Sequence, residues 1–454
     1  MQTDKISGNS TLPTRLKISK YAFFIENSQG HQIVYSSMTG LILSCSEPEY
    51  IDKLNAIRAA EPLMYDAEND LLVLLYEKKV LLDEDYDEEL ALRYLYEENI
   101  VCSDTLELML IVTRQCNFRC VYCGQEHQDL RMSESVYDSV IAYLEKQLAR
   151  KRYNRVSITF FGGEPLLEYK NILRFLQQVY PLMMEHNIAF SSGMSSNGYL
   201  LTPERFEELY KYNCRGYQIS VDGMDYTHNK TRFLVGGKPS WQQIMDNLQY
   251  MQDSDKQFSV IIRSNFNFEV ADSMEEFYQL VAKQFDKRFQ IYVECIKDHG
   301  TISPGVCDVM NSVESVVTET AIAAILKKNH LPYANLSERL RPARMICYAS
   351  KPNFFVIDYD GCVKKCSHDF DFPANQLGQL MEDGRMDIST QKHAAWIYND
   401  ITAANFSGEC NGCGLAPVCF GKKCPLSYLK NSRTMNCSSA LQELEVTDAL
   451  AQYY

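Results

Sequence analysis

Basic charge and long apolar runs are both scarce in this 454-residue sequence. Lys and Arg number 45 against 59 Asp and Glu, which gives a formal net charge of −14. A nucleic-acid partner needs a basic protein face, so this balance excludes that class of partner. No apolar run approaches the roughly 18 residues that span a bilayer, and the polar start Met1–Lys5 is not a signal peptide. We expect a cytoplasmic protein with no membrane partner, acting on a small molecule, a peptide or a protein.

Cysteine, by contrast, is abundant, with 16 in the chain. In a cytoplasmic protein, clustered cysteines are metal ligands or catalytic groups more often than disulfides. Three lie close together near position 120, and eight lie between Cys347 and Cys437. We interpret the five scattered cysteines as small buried hydrophobic residues: Cys45, Cys102, Cys214, Cys295 and Cys307. The distribution predicts two separate metal-binding regions.

The N-terminal part of the chain predicts a small α+β unit over residues 16–100, after a frayed polar segment over residues 1–15. Two strand-like runs, Tyr21–Glu26 and His31–Ser36, flank a turn sequence and predict a β-hairpin. Helical patterns follow near 49–60, 69–77 and 87–98. The unit carries no catalytic motif of its own.

Between residues 105 and 330, strand-like runs alternate with helical patterns six times. The predicted strands are Leu106–Thr113, Val156–Phe161, Ile188–Met194, Gly216–Val221, Phe258–Ser264 and Phe289–Cys295. The predicted helices are Ser135–Arg150, Tyr169–Glu185, Pro203–Tyr212, Ser240–Met251, Ser273–Phe285 and Ser312–Lys328. This alternation predicts an α/β fold, with a parallel sheet curled into a partial (β/α)6 barrel.

Distinctive residues follow the first four predicted strands. They are Cys116–Cys123, Gly162–Glu164, Ser196–Gly198 and Asp222–Gly223. Because the chemistry of such barrels lies at the carboxyl ends of the strands, these residues predict one active site. After residue 330 the alternation stops, and residues 331–454 predict a cysteine-rich domain. It opens with a hairpin over Phe354–Tyr359 and Cys362–Cys366 and ends in a helix near Ser438–Ala451, and metals help to hold it.

Three cysteines, Cys116, Cys120 and Cys123, lie within eight residues. Three thiolates can hold three irons of a [4Fe–4S] cube, which normally takes four cysteines, and leave one iron open. A zinc site is the alternative, but zinc prefers four closed ligands and only His127 lies nearby. The C-x3-C-x2-C spacing after a first strand resembles the radical S-adenosylmethionine (SAM) superfamily. That resemblance implies an open iron that binds SAM and a 5′-deoxyadenosyl radical that abstracts hydrogen from the substrate.

The resemblance also implies roles for residues outside the cysteine motif. Tyr122 would lie against the adenine of SAM, and Gly162, Gly163 and Glu164 match the motif that receives its ammonium group. Asn197 and Ser220 stand where related enzymes contact the ribose and carboxylate. Arg232 would meet the SAM carboxylate, and a surface salt bridge is the alternative.

The second group of cysteines resembles the SPASM extension of radical SAM enzymes, which carries two auxiliary [4Fe–4S] clusters. The resemblance implies three clusters in total. A distal cluster would be held by Cys410, Cys413, Cys419 and Cys437, and a nearer one by Cys347, Cys366 and Cys424. The chain departs from the family in having four residues, not three, between Cys419 and Cys424. A zinc ribbon is the alternative, although seven cysteines exceed the needs of one zinc ion.

The nearer cluster is one ligand short, because Arg341–Ile346 contains no cysteine. Cys362 is a candidate, but on an extended strand it lies roughly 13 Å from Cys366, at about 3.3 Å per residue. A turn would shorten this distance, so the question stays open. If the iron is open, a substrate thiolate could bind there.

The N-terminal unit resembles the winged-helix-like leader-recognition domain of enzymes that mature ribosomally made peptides, in which an edge strand accepts an extended leader. A dimerisation or packing module is the alternative. Together, the three regions resemble thioether-forming maturases of the ranthipeptide and sactipeptide type. The implied partners are a precursor peptide and an electron donor such as flavodoxin or ferredoxin.

Three other functions remain as alternatives. The same parts serve carbon–carbon crosslinking maturases. Anaerobic sulfatase-maturing dehydrogenases, which form formylglycine, are also similar, but their base is an Asp directly after the cysteine that matches Cys366, and this chain has Ser367. A non-catalytic zinc or iron–sulfur module is the third alternative, which the six βα units argue against.

Overall fold

The computed structural model describes residues 15–296, 307, 309–334, 339–398, 412–421, 424–430 and 439–454. Of the segment over residues 1–15 that was expected to be frayed, residues 1–14 lie outside the described residues and Arg15 is the first residue of a strand. The predicted ligands Cys410 and Cys437 also lie outside the described residues. No helix in the described ranges is long and apolar enough to cross a membrane.

Residues 15–101 form an α+β unit with two small antiparallel sheets. The first sheet pairs β1 (Arg15–Ile18) with β5 (Leu63–Met64) and β6 (Leu81–Asp83). The second is a meander of β2 (Ala22–Glu26), β3 (Gln32–Ser36) and β4 (Leu41–Cys45). The predicted hairpin is confirmed as β2–β3.

Three helices complete this unit: α1 (Pro48–Ala59), α2 (Asp70–Glu77) and α3 (Glu88–Tyr96), which continues into a π-helical turn over Glu97–Val101. Asn69 and Asp87 cap the last two helices, because their side chains accept backbone N–H groups of the first turn. Leu54, Leu75 and Val34 are fully buried in a small core shared by α1, α2 and β3.

Six parallel strands form the centre of the molecule, as the sequence predicts. They are β7 (Thr105–Thr113), β8 (Arg155–Gly162), β9 (Ala189–Ser196), β10 (Cys214–Ser220), β11 (Ser259–Phe266) and β12 (Phe289–Cys295). Each strand pairs with the next along the chain, so β7 and β12 lie at opposite ends of the run and the barrel is partial. This order confirms the predicted α/β architecture.

Helices flank these strands on the outer face. They are α4 (Glu134–Ala149), α5 (Tyr169–Glu185), α6 (Pro203–Lys211), α7 (Asp225–Thr231), α8 (Trp241–Asp253), α9 (Phe268–Asp272), α10 (Met274–Gln284) and α11 (Ser312–Lys328). Alternate strand residues such as Leu108 and Ile158 pack against them in one continuous core. The other set includes polar side chains, among them Gln218, which donates a 2.9 Å hydrogen bond to Ser195. The inner face of the barrel is therefore partly polar.

The C-terminal hairpin extends this central sheet. Strand β13 (Phe354–Ile357) pairs in parallel with β7, and β14 (Cys362–Lys364) returns antiparallel to β13. Strands β15 (Gly378–Leu380) and β16 (Met386–Ile388) complete a ten-stranded sheet. The hairpin is confirmed, but it continues the barrel sheet and does not stand apart from it.

The described residues of the C-terminal region form four further helices: α12 (Thr390–Ile397), α13 (Ala416–Cys419), α14 (Pro425–Lys430) and α15 (Ser439–Tyr453). The last of these confirms the predicted terminal helix. Tyr21, Leu92 and Tyr96 of the N-terminal unit share a buried cluster with Ile346 and Phe420. The N-terminal unit is therefore packed against the C-terminal region.

Candidate active site

The loop after β7 carries Cys116, Cys120 and Cys123, and a second segment holds it in place. Arg119 N–H donates to Phe233 O at 2.9 Å, and Val121 N–H donates to Thr231 O at 3.0 Å. In return, Val235 N–H donates to Asn117 O at 2.9 Å. The segment that follows α7 thus pairs with the cysteine loop as a short antiparallel strand would.

The thiols of this loop are half-buried, which disfavours their charged form. Burial raises the pKa of the Cys116 thiol to about 12 and that of Cys120 to about 11. The Arg232 guanidinium opposes this shift at both thiols, and the Phe118 N–H donates to Cys116 Sγ at 3.3 Å. Arg232 therefore lies close enough to favour thiolates, the form that binds iron.

The two glycines after β8 allow its end to pack directly on the cysteine loop. Gly163 N–H donates to Thr113 O at 3.0 Å, and Glu164 N–H donates to Gln115 O at 2.8 Å. Gly162 has φ +137°, and a Cβ on it would overlap the backbone of Thr113. A Cβ on Gly163 would overlap the backbone of Gln115. Only glycine fits at these two positions.

Glu164 is fully buried, and protein groups use both of its oxygens. Oε1 accepts from Leu166 N at 2.9 Å and from Ser196 Oγ at 2.8 Å, and Oε2 accepts from Asn197 N at 2.7 Å. Burial raises the pKa of this carboxyl, and the donors oppose the rise. The carboxylate thus joins the ends of β8 and β9. Its predicted contact with the SAM ammonium stays a prediction.

Asn197 lies beside the cysteine loop, as expected for a residue of this site. Its Nδ2 donates to Asn117 Oδ1 at 2.8 Å and approaches Cys116 Sγ at 3.9 Å. Ser220 is the last residue of β10 and pairs in register with Arg263 of β11. Both residues lie at the carboxyl edge of the sheet, where the sequence predicts them.

A buried network around Tyr122 includes Asp222, which the sequence placed at the site without a specific role, and Asn265, which it did not single out. The Tyr122 hydroxyl donates to Asp222 Oδ2 and accepts from Arg232 Nη1 at 2.7 Å and from Asn265 Nδ2 at 3.0 Å. Asn265 also donates to Asp222 Oδ1 through its backbone N–H at 3.0 Å and its side chain at 3.1 Å. The position of Asp222 directly after β10 was visible in the sequence. Its contact with Tyr122 was not.

The residues of this site fit an anionic, thiolate-bound group. Arg232 is 7% exposed, and its Nε has no hydrogen-bond partner among the described residues. The buried Nδ2 of Asn117 likewise donates no hydrogen bond to a described residue. Within the described ranges, no three His, Cys, Asp or Glu side chains are gathered closely enough to hold a single metal ion. In a cube, by contrast, each sulfur binds an iron of its own.

The second region brings three of its cysteines together. Burial raises the pKa of Cys347 to about 12, and the nearby thiols of Cys366 and Cys424 raise it further. Cys366 and Cys424 interact in the same way. Burial raises the pKa of the Cys362 thiol, and the charged groups that act on it, Lys364, Asp360, Asp358 and Lys392, include no cysteine.

Cys413 and Cys419 form another pair of neighbours. Burial raises the pKa of Cys413 to about 12, and Cys419 raises it further. Gly414 N–H donates to Glu443 Oε1 at 2.7 Å, so α15 helps to fix this loop. The other two ligands predicted for the distal cluster, at 410 and 437, lie outside the described residues.

Comparison with known proteins identifies the central domain. Residues 110–281 match the model of the radical SAM superfamily. This part of the chain is therefore a radical SAM domain. The domain implies one [4Fe–4S] cluster and bound SAM.

Three relatives are similar in sequence. The radical SAM cyclopropyl synthase TigE of Paramaledivibacter caminithermalis is 26% identical over 36% of this chain and 36% of its own. The GTP 3′,8-cyclase of Nostoc punctiforme is 23% identical over 68% of this chain and 94% of its own. The cysteine-type anaerobic sulfatase-maturating enzyme of Clostridium novyi is 23% identical over 40% of this chain and 48% of its own. The chain spans about a third of the first relative and about half of the third.

Two solved structures share the fold. Native anSMEcpe with bound AdoMet and the Cp18Cys peptide has a TM-score of 0.58 at 16% identity, over 76% of this chain and 95% of its own. Streptococcus suis SuiB bound to its precursor peptide SuiA has a TM-score of 0.50 at 14% identity, over 91% of this chain and 97% of its own. At these identities the likeness is one of fold.

Proposed function

We propose that this enzyme is a peptide maturase that installs thioether crosslinks in a ribosomally made precursor peptide. Each crosslink joins a cysteine sulfur to a carbon of an acceptor residue. The observation that carries the proposal is the extent of the fold shared with SuiB, whose structure holds a precursor peptide. That likeness covers 91% of this chain, so it takes in regions outside the radical SAM domain.

The N-terminal unit supplies a place for the leader of the peptide. Strand β4 is an edge strand of the β2-β3-β4 sheet in the described part of the chain, and its residues Leu41, Ile42 and Leu43 are half-buried. An extended leader could add to this edge by β-augmentation. Packing of the unit on the C-terminal region through Tyr96 and Phe420, with ring centroids 5.4 Å apart, keeps the bound leader at a fixed place relative to the barrel.

At the carboxyl edge of the barrel, Cys116, Cys120 and Cys123 would hold the cluster. With SAM bound, that cluster supplies a 5′-deoxyadenosyl radical for hydrogen abstraction. Gly162 and Gly163 keep the β8 end close against the cysteine loop, and Asn197 lies beside Cys116. Arg232 offers its unpartnered Nε to the SAM carboxylate.

Two auxiliary clusters complete the proposed cofactor set. Cys347, Cys366 and Cys424 would hold the nearer one, and Cys413 and Cys419, with Cys410 and Cys437, the distal one. Lys365 supports the first assignment. It is fully buried near Cys347, and its Nζ donates to the carbonyls of Lys351 at 2.5 Å and Phe354 at 2.7 Å. A buried ammonium whose hydrogen bonds go to carbonyls fits a neighbouring anionic cluster.

Thioether formation oxidises the peptide, so an electron must leave the site, and the auxiliary clusters would have this role. Each thioether removes two hydrogens from the peptide: one leaves as a hydrogen atom, and the other as a proton and an electron. The auxiliary clusters, where bound, would supply a route by which that electron leaves the site, and flavodoxin or ferredoxin is the kind of protein that would supply electrons to the enzyme. If Cys347, Cys366 and Cys424 are the only protein ligands of the nearer cluster, one iron would stay open for a peptide thiolate; this is supported by the absence of a cysteine among the groups that act on Cys362.

A sulfatase-maturing dehydrogenase is the second candidate, because the Clostridium novyi enzyme and anSMEcpe are both similar to this chain. Ser367 weighs against it. The Ser367 hydroxyl is 2.7 Å from Tyr348 Oη and is 7% exposed. A hydroxyl with an ordinary pKa cannot act as the base that a carboxylate supplies.

Mass spectrometry of a precursor peptide co-expressed with the enzyme tests the proposal. We expect a loss of two hydrogens per crosslink and a crosslinked cysteine that does not react with iodoacetamide even after reduction with dithiothreitol, which would open a disulfide. A carbon–carbon crosslink or formylglycine formation from serine gives the same mass loss but leaves the cysteine alkylatable, and formylglycine formation from cysteine removes the sulfur. A Cys116→Ala, Cys120→Ala, Cys123→Ala variant is the control. An unmodified peptide with SAM cleavage intact would contradict the proposal.

A further inference from the structure

Asp222 is a fully buried carboxylate whose hydrogen-bond donors are all neutral groups in the described part of the chain. Oδ2 accepts from the Tyr122 hydroxyl and, at 3.4 Å, from Thr231 Oγ1. Oδ1 accepts from the backbone and side-chain nitrogens of Asn265. These hydrogen bonds stabilise the buried carboxylate, and the carboxylate in turn fixes the orientation of the groups that donate to it.

The Tyr122 hydroxyl lies between this carboxylate and the Arg232 guanidinium. A hydroxyl has one proton to donate, and a carboxylate can only accept. Asp222 therefore fixes the direction of the Tyr122 proton, and the oxygen lone pairs then face Arg232 Nη1, 2.7 Å away. The guanidinium is held in turn over the Phe118 ring, 5.8 Å from its centroid.

One buried donor of this guanidinium has no partner among the described residues. Arg232 is 7% exposed, its Nε is buried with no hydrogen-bond partner among the described residues, and its charge acts on Cys116 and Cys120. A buried, unsatisfied N–H of a charged group costs free energy unless a ligand meets it. An anionic ligand beside the cysteines would meet it.

We propose that Asp222 is a positioning residue for SAM binding. Through the Tyr122 hydroxyl it holds the Arg232 guanidinium so that Nε can donate to the carboxylate of SAM. The proposal rests on the radical SAM domain alone. Its test needs no peptide, so its failure and the failure of the thioether proposal are distinguishable.

Asp222→Asn is the central variant, because it keeps the shape and the oxygen that accepts from Asn265. Its amide nitrogen would donate to the Tyr122 hydroxyl, whose proton would then turn toward Arg232 and break the 2.7 Å contact. Tyr122→Phe removes the same link and keeps the ring. We expect each variant to raise the dissociation constant for SAM about tenfold or more, as for one lost hydrogen bond to a charged group.

The double variant distinguishes positioning from a separate role. If Asp222 acts through Tyr122, Asp222→Asn with Tyr122→Phe should bind SAM no more weakly than either single variant. Isothermal titration of SAM into anaerobically reconstituted enzyme gives the affinity. Iron content and the change that SAM causes in the electron paramagnetic resonance spectrum of the reduced cluster give the second readout. Asp225→Asn, the same exchange at an exposed position nearby, is the matched control.

Unchanged SAM affinity in Asp222→Asn, or additive losses in the double variant, would overturn the proposal. A merely structural role would lower iron content in parallel with affinity. If Asp222→Asn does lose iron, the cycle of Tyr122→Phe with Arg232→Gln replaces it. Additive losses in that cycle would also reject the proposal, since the hydroxyl and the guanidinium would then act separately.

Discussion

Glu164→Gln tests whether the buried carboxylate after β8 serves the fold or the ligand. Its two oxygens accept three hydrogen bonds from Leu166 N, Ser196 Oγ and Asn197 N at 2.7–2.9 Å, and it is fully buried. A glutamine has one accepting oxygen. If the amide oxygen points toward Leu166 and Ser196, the NH2 group faces the Asn197 N–H and two donors meet. If the amide is turned over, the NH2 group faces the Leu166 N–H instead.

The structure sets the size of the effect. In either orientation of the amide, one buried backbone donor is left without an acceptor, and an unsatisfied buried donor costs about 1–3 kcal/mol. We expect the midpoint of urea unfolding of the anaerobically reconstituted enzyme to fall accordingly, with an unchanged slope. Glu168→Gln is the matched control, because Glu168 meets side chains, Arg131 Nη1 at 3.3 Å and Asn171 Nδ2 at 2.9 Å. Its loss should be smaller than that of Glu164→Gln, because Arg131 is half-exposed and can turn to solvent and the glutamine oxygen can still accept from Asn171.

A direct role in binding the SAM ammonium gives a different result. In that case Glu164→Gln would weaken SAM binding and leave the unfolding midpoint unchanged. Such an outcome would refute the reasoning that the oxygens are committed to Leu166, Ser196 and Asn197. If stability and SAM affinity both fall, the sheet end must be intact for SAM to bind, and a Ser196→Ala variant should show the same pair of effects in weaker form.

Three further predictions concern other parts of the molecule. Gly162→Ala would place a methyl group on the Thr113 backbone and should abolish SAM binding, whereas Gly237→Ala, at φ +79° with no atom within 4 Å, should lose only about 1–2 kcal/mol in thermal unfolding. Because burial lowers the pKa of His393 to about 4, the unfolded chain binds a proton that the folded chain does not, and the free energy of unfolding should fall as the pH drops from about 6.5 toward 4. His393→Gln should flatten that fall in urea titrations at several pH values. Iron analysis should show a loss for Cys347→Ala and none for Cys362→Ala, and equal losses would reject the three-thiolate assignment.

Much of the barrel was predictable because its signals are local. The alternation of apolar residues placed all six parallel strands to within two or three residues of their bounds, and the turn near Asn27 placed the β2–β3 hairpin. The C-x3-C-x2-C spacing identified the cysteine loop. Such patterns involve residues that are close together in the sequence, so a single sequence is enough to detect them.

Contacts between distant segments were not predictable in this way. Asp222 and Tyr122 are 100 residues apart in sequence, and the hydroxyl of one meets the carboxylate of the other only after β10 lies beside the cysteine loop. The pairing of β13 with β7 was likewise not predictable, because the sequence of a four-residue strand does not indicate which other strand it pairs with. Short strands such as β5 and β15 were missed for the same reason.

The contacts at Gly414 bear on how leader binding by the N-terminal unit and crosslinking at the barrel would be coordinated. Three segments meet there: the Gly414 carbonyl accepts from Ser37 Oγ at 2.5 Å, its N–H donates to Glu443, and a Cβ on it would overlap the Phe23 ring. A module on a flexible linker would reach the barrel over a range of distances, but a unit packed in this way holds β4 at one distance. If β4 binds the leader, the number of residues between leader and crosslink in its precursors should therefore be nearly constant. Insertion of a few flexible residues at that point of the precursor should move the crosslink to a different acceptor or abolish it, whereas free choice of acceptor after the insertion would show that the fixed distance does not select the site.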